Sequence, residues 1–175
     1  KPTDFVVAFC GRWNERKGVF RLDSALKQLN NPYIKAIYIG SPMDNCKKEP
    51  DYANIAFKGQ LPHNEIVHYL NAANIFVLPS LAEGCPNSTI EAMACGLPCI
   101  LSDIEPHKEI LNHCLNSGSL FRTGDLCDLE KKMKESQYWD INEKSKCSHK
   151  LVYENLSKYN TASKYYELYK RYVKN

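Results

Sequence analysis

The chain has 175 residues, 43% apolar and 25% charged, with a formal net charge of +3, the profile of one soluble globular domain with a single core. No apolar run approaches the ~20 residues of a membrane span, and no Arg-rich stripe or aromatic RNA-binding signature accompanies the charge, which argues against nucleic acid as a partner. The charge is uneven, −2 over residues 1–129 and +5 over 130–175. Solvated lysine faces on amphipathic helices account for this better than contact with an anionic membrane surface or partner.

The opening Lys1-Pro2-Thr3-Asp4 carries no signal-peptide pattern and reads as a cut at a linker, so a piece of a larger protein is expected. Phe5 to Cys10 is a continuous apolar run, a buried parallel strand. Val19, Leu22, Leu26 and Leu29 mark one helix face. Ala36–Ile39 is a second strand, followed by a polar loop over 41–51, and Ile55–Phe57 a short third. Ile66, Tyr69, Leu70 and Ala73 trace a helix, and Ile75–Leu78 forms strand four. A loop and short helix end at the stop signals Gly96 and Pro98. Strand five is Cys99–Leu101, with a helix around Glu105–Leu111, an edge strand over Ser119–Phe121 and a helix over Asp125–Glu135.

Short strands alternating with helices predict an α/β fold, a Rossmann-like doubly wound parallel sheet with helices on both faces. Ligands of such sheets bind beyond the C-terminal strand ends, which directs attention to the loops after strands one, four and five. A last helix is expected at about 158–174, with Tyr159, Ala162, Tyr166, Tyr169 and Val173 in one stripe. Two placements are open, against the chain's own sheet or against a second domain. The eight cysteines include no C-x-x-C pair; as small hydrophobes they fit a reducing cytoplasm.

Two segments can carry chemistry. Gly11-Arg12-Trp13-Asn14-Glu15-Arg16-Lys17-Gly18 follows strand one and opens a helix. The G-x-G-x-x-G fingerprint of a dinucleotide site is absent there, which rules against an NAD-dependent oxidoreductase. Arg12 and Lys17 can instead converge on a diphosphate, beside a helix N-terminus that adds positive potential. On this segment alone, solvated loop charges are the better reading. The second segment is Glu83-Gly84-Cys85-Pro86-Asn87-Ser88-Thr89-Ile90-Glu91. Gly84 permits close backbone approach, and Pro86, Asn87 and Ser88 suit a helix start whose N–H groups hold phosphate. Glu83 is either an exposed loop acid or an acceptor for sugar hydroxyls, and Glu91 either accepts a ribose diol or closes a capping box with Ser88. The local pattern favours the cap.

Taken together, Gly11-Arg12 with Lys17-Gly18, Phe57-Lys58-Gly59, Pro79-Ser80 before Glu83-Gly84-x-Pro86, and Glu91-Ala92-Met93-Ala94-Cys95-Gly96-Leu97-Pro98 resemble the C-terminal, donor-binding domain of a GT-B fold glycosyltransferase of the retaining group 1 family. The likeness spans nearly all 175 residues. It implies one domain that binds a nucleoside-diphosphate sugar as substrate, with no cofactor and no metal, consistent with the lack of a D-x-D motif. Arg12 and Lys17 would hold the diphosphate and stabilise the leaving group, and Glu83 would contact the transferred sugar. Gly11, Gly84, Cys85, Pro86, Asn87 and Ser88 would line sugar and phosphate, Glu91 would bind the ribose, and Gly59 and Leu61 would lie near the base.

The resemblance also implies a UDP-sugar donor, the commonest in the family, and a glycan or glycolipid acceptor bound by an N-terminal domain that these residues do not include. The segment alone is then expected to be inactive. The intact enzyme is expected in the cytoplasm, either free or peripheral on the inner membrane face, in lipopolysaccharide or polysaccharide synthesis. Where many relatives carry a glycine pair after strand five, this chain has Ser102-Asp103-Ile104-Glu105-Pro106-His107, and His107 reads equally as an exposed helix residue or a ligand contact. The alternatives are a non-catalytic nucleotide-binding or interaction module and a sugar-nucleotide epimerase of the same fold.

Overall fold

The computed structural model describes residues 4–42 and 50–173. Six strands, β1 (Phe5–Cys10), β2 (Ile34–Ile39), β3 (Ile55–Gly59), β4 (Ile75–Leu78), β5 (Cys99–Ser102) and β6 (Gly118–Phe121), form one sheet in the order β3-β2-β1-β4-β5-β6. Every pairing is parallel. The apolar runs dictate this: β4 and β5 are buried at all four positions each, as strands covered on both faces must be. The chain reverses direction across the sheet between β1 and β4, and such a switch point leaves a crevice at the C-terminal strand ends. The expected edge strand is β6.

The helices are α1 (Val19–Leu29), α2 (His63–Asn71), α3 (Asn87–Ala94), α4 (Glu105–Asn112), α5 (Leu126–Ser136), α6 (Ile141–Leu151) and α7 (Lys158–Val173). In α1 the predicted stripe is buried through Val19, Leu22 and Leu26, and Asn30 closes the helix in the left-handed region. Asp125 caps α5 through Asp128 N at 3.0 Å. Helix α6 is mostly polar and lies outside the elements expected from apolar periodicity. Its start is nevertheless written in Asp140, whose carboxylate accepts from Glu143 N at 3.1 Å. Helix α1 packs on α5, and α3 on α2 and α6.

Two glycines hold the loops of the switch point together. Gly18 has φ +76°, and a Cβ there would stand 2.0 Å from the Pro79 carbonyl oxygen, so the start of α1 lies directly against the end of β4. Gly40 has φ +123°, and a Cβ would stand 2.1 Å from Gly11 O. The amide of Gly40 donates to Gly59 O at 2.7 Å, and that of Gly11 to Ile39 O at 3.0 Å, tying together the ends of β1, β2 and β3.

Helix α7 overturns one of the two placements. None of its residues is buried, and Tyr159, Tyr166, Tyr169 and Val173 of the expected stripe are all exposed. It does not pack on its own sheet; a π-helical turn at Val152–Leu156 and the break at Ser157 carry it away from the core. Among the described residues no helix is long and apolar enough to cross a membrane.

Candidate functional site: the crevice between the first and fourth strands

The loops after β1 and β4 meet through an ion pair. Lys17 Nζ stands 2.8 Å from Glu83 Oε1, and Arg16 lies 3.6 Å from Oε2. The Glu83 side chain is only 4% exposed, so the exposed-acid reading is wrong. Its burial has a local cause. Leu81 N donates to Arg16 O at 2.7 Å and Arg16 Nη1 donates to Ala82 O at 3.0 Å, pinning the two loops together and turning the acid inward. Ser80 Oγ donates to Glu83 Oε1 at 2.6 Å. Lys17 is oriented in turn by its own backbone, whose N–H is held by Asn14 Oδ1 at 2.7 Å. Its methylenes pass Gly11, where a Cβ would be 3.6 Å away.

Beside this pair opens a cleft of about 460 Å³ lined by Cys10, Gly11 and Arg12 after β1, Ile39 to Pro42 after β2, and Gln60, Leu61 and Ile66 beyond β3. Arg12 is exposed on its rim. Gly11 and Leu61 of the expected set therefore share one cavity, and Gly59, with φ +66° and open space where a Cβ would sit, precedes it. The loop after β2 belongs to the lining and was not anticipated. The signal was Gly40-Ser41-Pro42 directly after a buried strand; residues 43–49 of that polar loop, with Cys46, lie outside the described residues.

Gly84, Cys85 and Asn87 are exposed and Pro86 is buried. The capping box is not formed. Pro86 takes the N-cap position of α3, with no side-chain cap, so Ser88 falls inside the first turn and its hydroxyl is buried without a partner among the described residues. Asn87, Thr89 and Ile90 direct their amides to Cys85 O and Pro86 O, which leaves fewer donors at the helix start than a phosphate cradle formed by the whole turn. Glu91, one turn further on and 33% exposed, is released from capping. Its Oε1 lies 3.9 Å from His63 Nδ1, and it borders a smaller apolar slot of about 180 Å³ with Ile66, Val67, Leu70, Ala94 and Cys95. Ile66 lines both hollows, so the Glu91 carboxylate and the Leu61 loop flank neighbouring space.

The electrostatics follow the burial. Desolvation, with Glu91 adding to it against the opposing pull of Lys17, pushes the Cys10 thiol up to about 11, so it stays neutral and unreactive. His107 is neither an exposed helix residue nor a ligand contact: it is fully buried, and burial holds its pKa below the ordinary 6.5.

Residues 1–137 match the family described as "Glycosyl transferases group 1". The chain belongs to that family. Among relatives, it is 48% identical over 125 residues to an Escherichia coli UDP-Gal:alpha-D-GlcNAc-diphosphoundecaprenol alpha-1,3-galactosyltransferase, covering 66% of this chain and 31% of that protein. It is 34% identical over 99 residues to the putative teichuronic acid biosynthesis glycosyltransferase TuaC of Bacillus subtilis, covering 57% and 25%. In fold it is similar to sucrose-phosphate synthase from Thermosynechococcus elongatus, with TM-score 0.80, 23% identity and coverage of 97% and 46%. It is also similar to Anabaena HepE solved with UDP and glucose, with TM-score 0.77, 20% identity and coverage of 99% and 49%. The chain thus spans a quarter to a third of these curated relatives and about half of the solved structures.

Proposed function

We propose that this chain is the C-terminal, donor-binding half of a retaining, metal-independent glycosyltransferase. In this reading it takes a sugar from a UDP-sugar and delivers it to a lipid-linked glycan in the cytoplasm, at the inner membrane face. The observation that carries the reading is the Lys17–Glu83 pair at the β1/β4 switch point, beside a cleft with Arg12 on its rim, in a group 1 family member. The ammonium of Lys17 has three donors; one meets Glu83 and the others face a diphosphate laid across Gly11. Arg12 supplies a planar fork to the same group. Charge growing on the leaving phosphate is met by these two cations, a preorganised contribution typically worth about 10²–10³ in rate per group.

Glu83 enters the reading in a changed form. Its Oε1 is occupied by Lys17 and Ser80, while Oε2 has the longer Arg16 contact and keeps lone pairs for a sugar hydroxyl. At 4% exposure, direct sugar contact requires the carboxylate to turn outward; holding Lys17 does not. Glu91, free of the helix start, binds the ribose, and the loop from Gly59 to Leu61 borders the base. Gly84 and Cys85, exposed between the two acids, border sugar and phosphate. UDP is favoured because the E. coli relative is named for a UDP-Gal donor and a diphosphoundecaprenol-linked acceptor. The exposed tyrosine stripe of α7 belongs, in this reading, against an N-terminal acceptor domain, without which the chain binds donor and transfers nothing.

The test is a calorimetric titration of UDP, GDP and ADP into the chain, with and without magnesium, and with Arg12→Ala and Lys17→Ala as controls checked for folding. Metal-independent binding of one nucleotide, weakened by both substitutions, is expected. Binding that needs magnesium, or that neither substitution changes, would overturn the assignment of these two cations.

A further inference from the structure

Beneath the Glu83 carboxylate lies a polar layer that donor binding does not itself use. Ser80 follows β4, Ser102 ends β5 and His107 lies in the first turn of α4; all three are 0% exposed. Ser80 Oγ donates to Glu83 Oε1 at 2.6 Å, and Ser102 Oγ donates to Ser80 O at 2.5 Å. His107 Nδ1 stands 3.0 Å from Ser102 O and 3.2 Å from Ser102 Oγ. A carbonyl oxygen accepts only, so Nδ1 carries the proton. The hydroxyl of Ser102 has given its own proton to Ser80 O, so it too accepts from Nδ1. The direction of every link is therefore fixed, from α4 through the ends of β5 and β4 to the ion pair.

Packing alone gives no reason for an imidazole here. With the proton on Nδ1, Nε2 is a buried acceptor without a partner among the described residues, a desolvation penalty that a leucine in the same space would not carry. What the ring supplies is the Nδ1–H donor.

We infer that His107 is a positioning residue for the Glu83–Lys17 pair: its Nδ1–H holds Ser102 on the Ser80 carbonyl, which keeps the Ser80 hydroxyl aimed at Glu83 and Lys17 aimed at the cleft. Its functional consequence rests on the donor-site reading above. The side chain touches no ligand and acts only through this chain of bonds.

The test is a double-mutant cycle read by affinity for whichever of UDP, GDP and ADP the unaltered chain binds. His107→Leu is expected to weaken binding by about tenfold, the low end of the worth of one misplaced charged hydrogen bond. In a Lys17→Met background it is expected to change nothing further. An effect of equal size in both backgrounds marks a general packing defect and overturns the inference, as does unaltered affinity in His107→Leu. Should the leucine variant not fold, His107→Asn and His107→Gln decide. Asparagine places its amide N–H near the Nδ1 position and glutamine near Nε2, so wild-type affinity for Asn with weakened affinity for Gln is expected, and equal affinities overturn the inference. If the unaltered chain binds no nucleotide, the donor-site reading fails on its own. The brace is then read by NMR: a slowly exchanging Ser80 hydroxyl proton is expected in the wild type and His107→Asn and lost in His107→Gln, and its persistence in His107→Gln overturns the inference.

Discussion

Removing the Lys17 charge tests whether the switch point is held by electrostatics. At 2.8 Å two unit charges attract by about 6 kcal/mol at an effective dielectric constant of about 20. Desolvating a carboxylate that is 4% exposed offsets several kcal/mol of this, so a net coupling of about 2 kcal/mol is expected. Lys17→Met leaves Glu83 facing the Ser80 hydroxyl at 2.6 Å and Arg16 at 3.6 Å. Those partners bring the destabilisation to about 2–3 kcal/mol, below the 3–5 typical of a fully orphaned buried charge. For a chain of this size that is a fall in Tm of roughly 5–10 °C. Glu83→Gln keeps an acceptor for Ser80 and is expected to cost about 1–2 kcal/mol. The double variant should be more stable than the sum of the two single losses implies, because neither charge is left alone. Urea unfolding of the four proteins measures the coupling. A value below about 0.5 kcal/mol, the range of exposed pairs, would refute the reasoning and make Lys17–Glu83 a solvent-screened contact.

Gly18→Ala forces a side chain to 2.0 Å from Pro79 O at φ +76° and is expected to cost about 3 kcal/mol or more, whereas Gly124→Ala, at φ +82° in open space, should cost about 1 kcal/mol in the same thermal melts. Ser88→Ala is expected to be neutral or slightly stabilising, since it removes a buried hydroxyl without a partner, while Asp140→Ala loses the α6 cap and about 1 kcal/mol; a loss at Ser88 matching that at Asp140 would restore the capping box. His107 gives a pH signature. Its folded pKa lies below 6.5 because burial disfavours the imidazolium, so the unfolded chain takes up a proton that the folded one declines. Stability is therefore expected to fall as pH drops below 6.5 toward the folded value, with no contribution above it, and His107→Asn should flatten that limb of a pH-dependent urea series.

The parts of the fold legible in the sequence are those in which a side chain's fate depends on its own element. Ile75-Phe76-Val77-Leu78 and Cys99-Ile100-Leu101 are continuous apolar runs, and nothing but a strand covered on both faces satisfies them. Helix α6 was illegible because Lys144, Ser145, Lys146 and Ser148 dilute its apolar face, and the Asp140 cap was the sole strong local mark. The stripe of α7 was legible as a helix but silent about what it faces, since periodicity encodes a face and not its partner. The capping box failed for a sharper reason. A serine three residues before a glutamate caps a helix only from the N-cap position, and Pro86 occupies that position, shifting the register by two residues.

The site divides along the same line. Placing Arg12, Lys17, Glu83 and Glu91 after buried strands needed only the strand pattern and the doubly wound order. Knowing that Glu83 turns inward needed Arg16 and Lys17, from a loop far away in sequence, to be its neighbours beside Ser80 of its own loop. One rule recovers part of what was missed. A small polar residue at or just past the end of a buried strand, here Ser80 after β4 and Ser102 ending β5, stands where hydroxyls are shielded from water and must find partners within the protein. When two such serines end neighbouring parallel strands and a histidine follows in the next helix turn, a buried polar chain is the physical solution open to them. The acidic residue three positions beyond Ser80 then ends that chain, and the cation that answers its charge must come from the loop across the switch point.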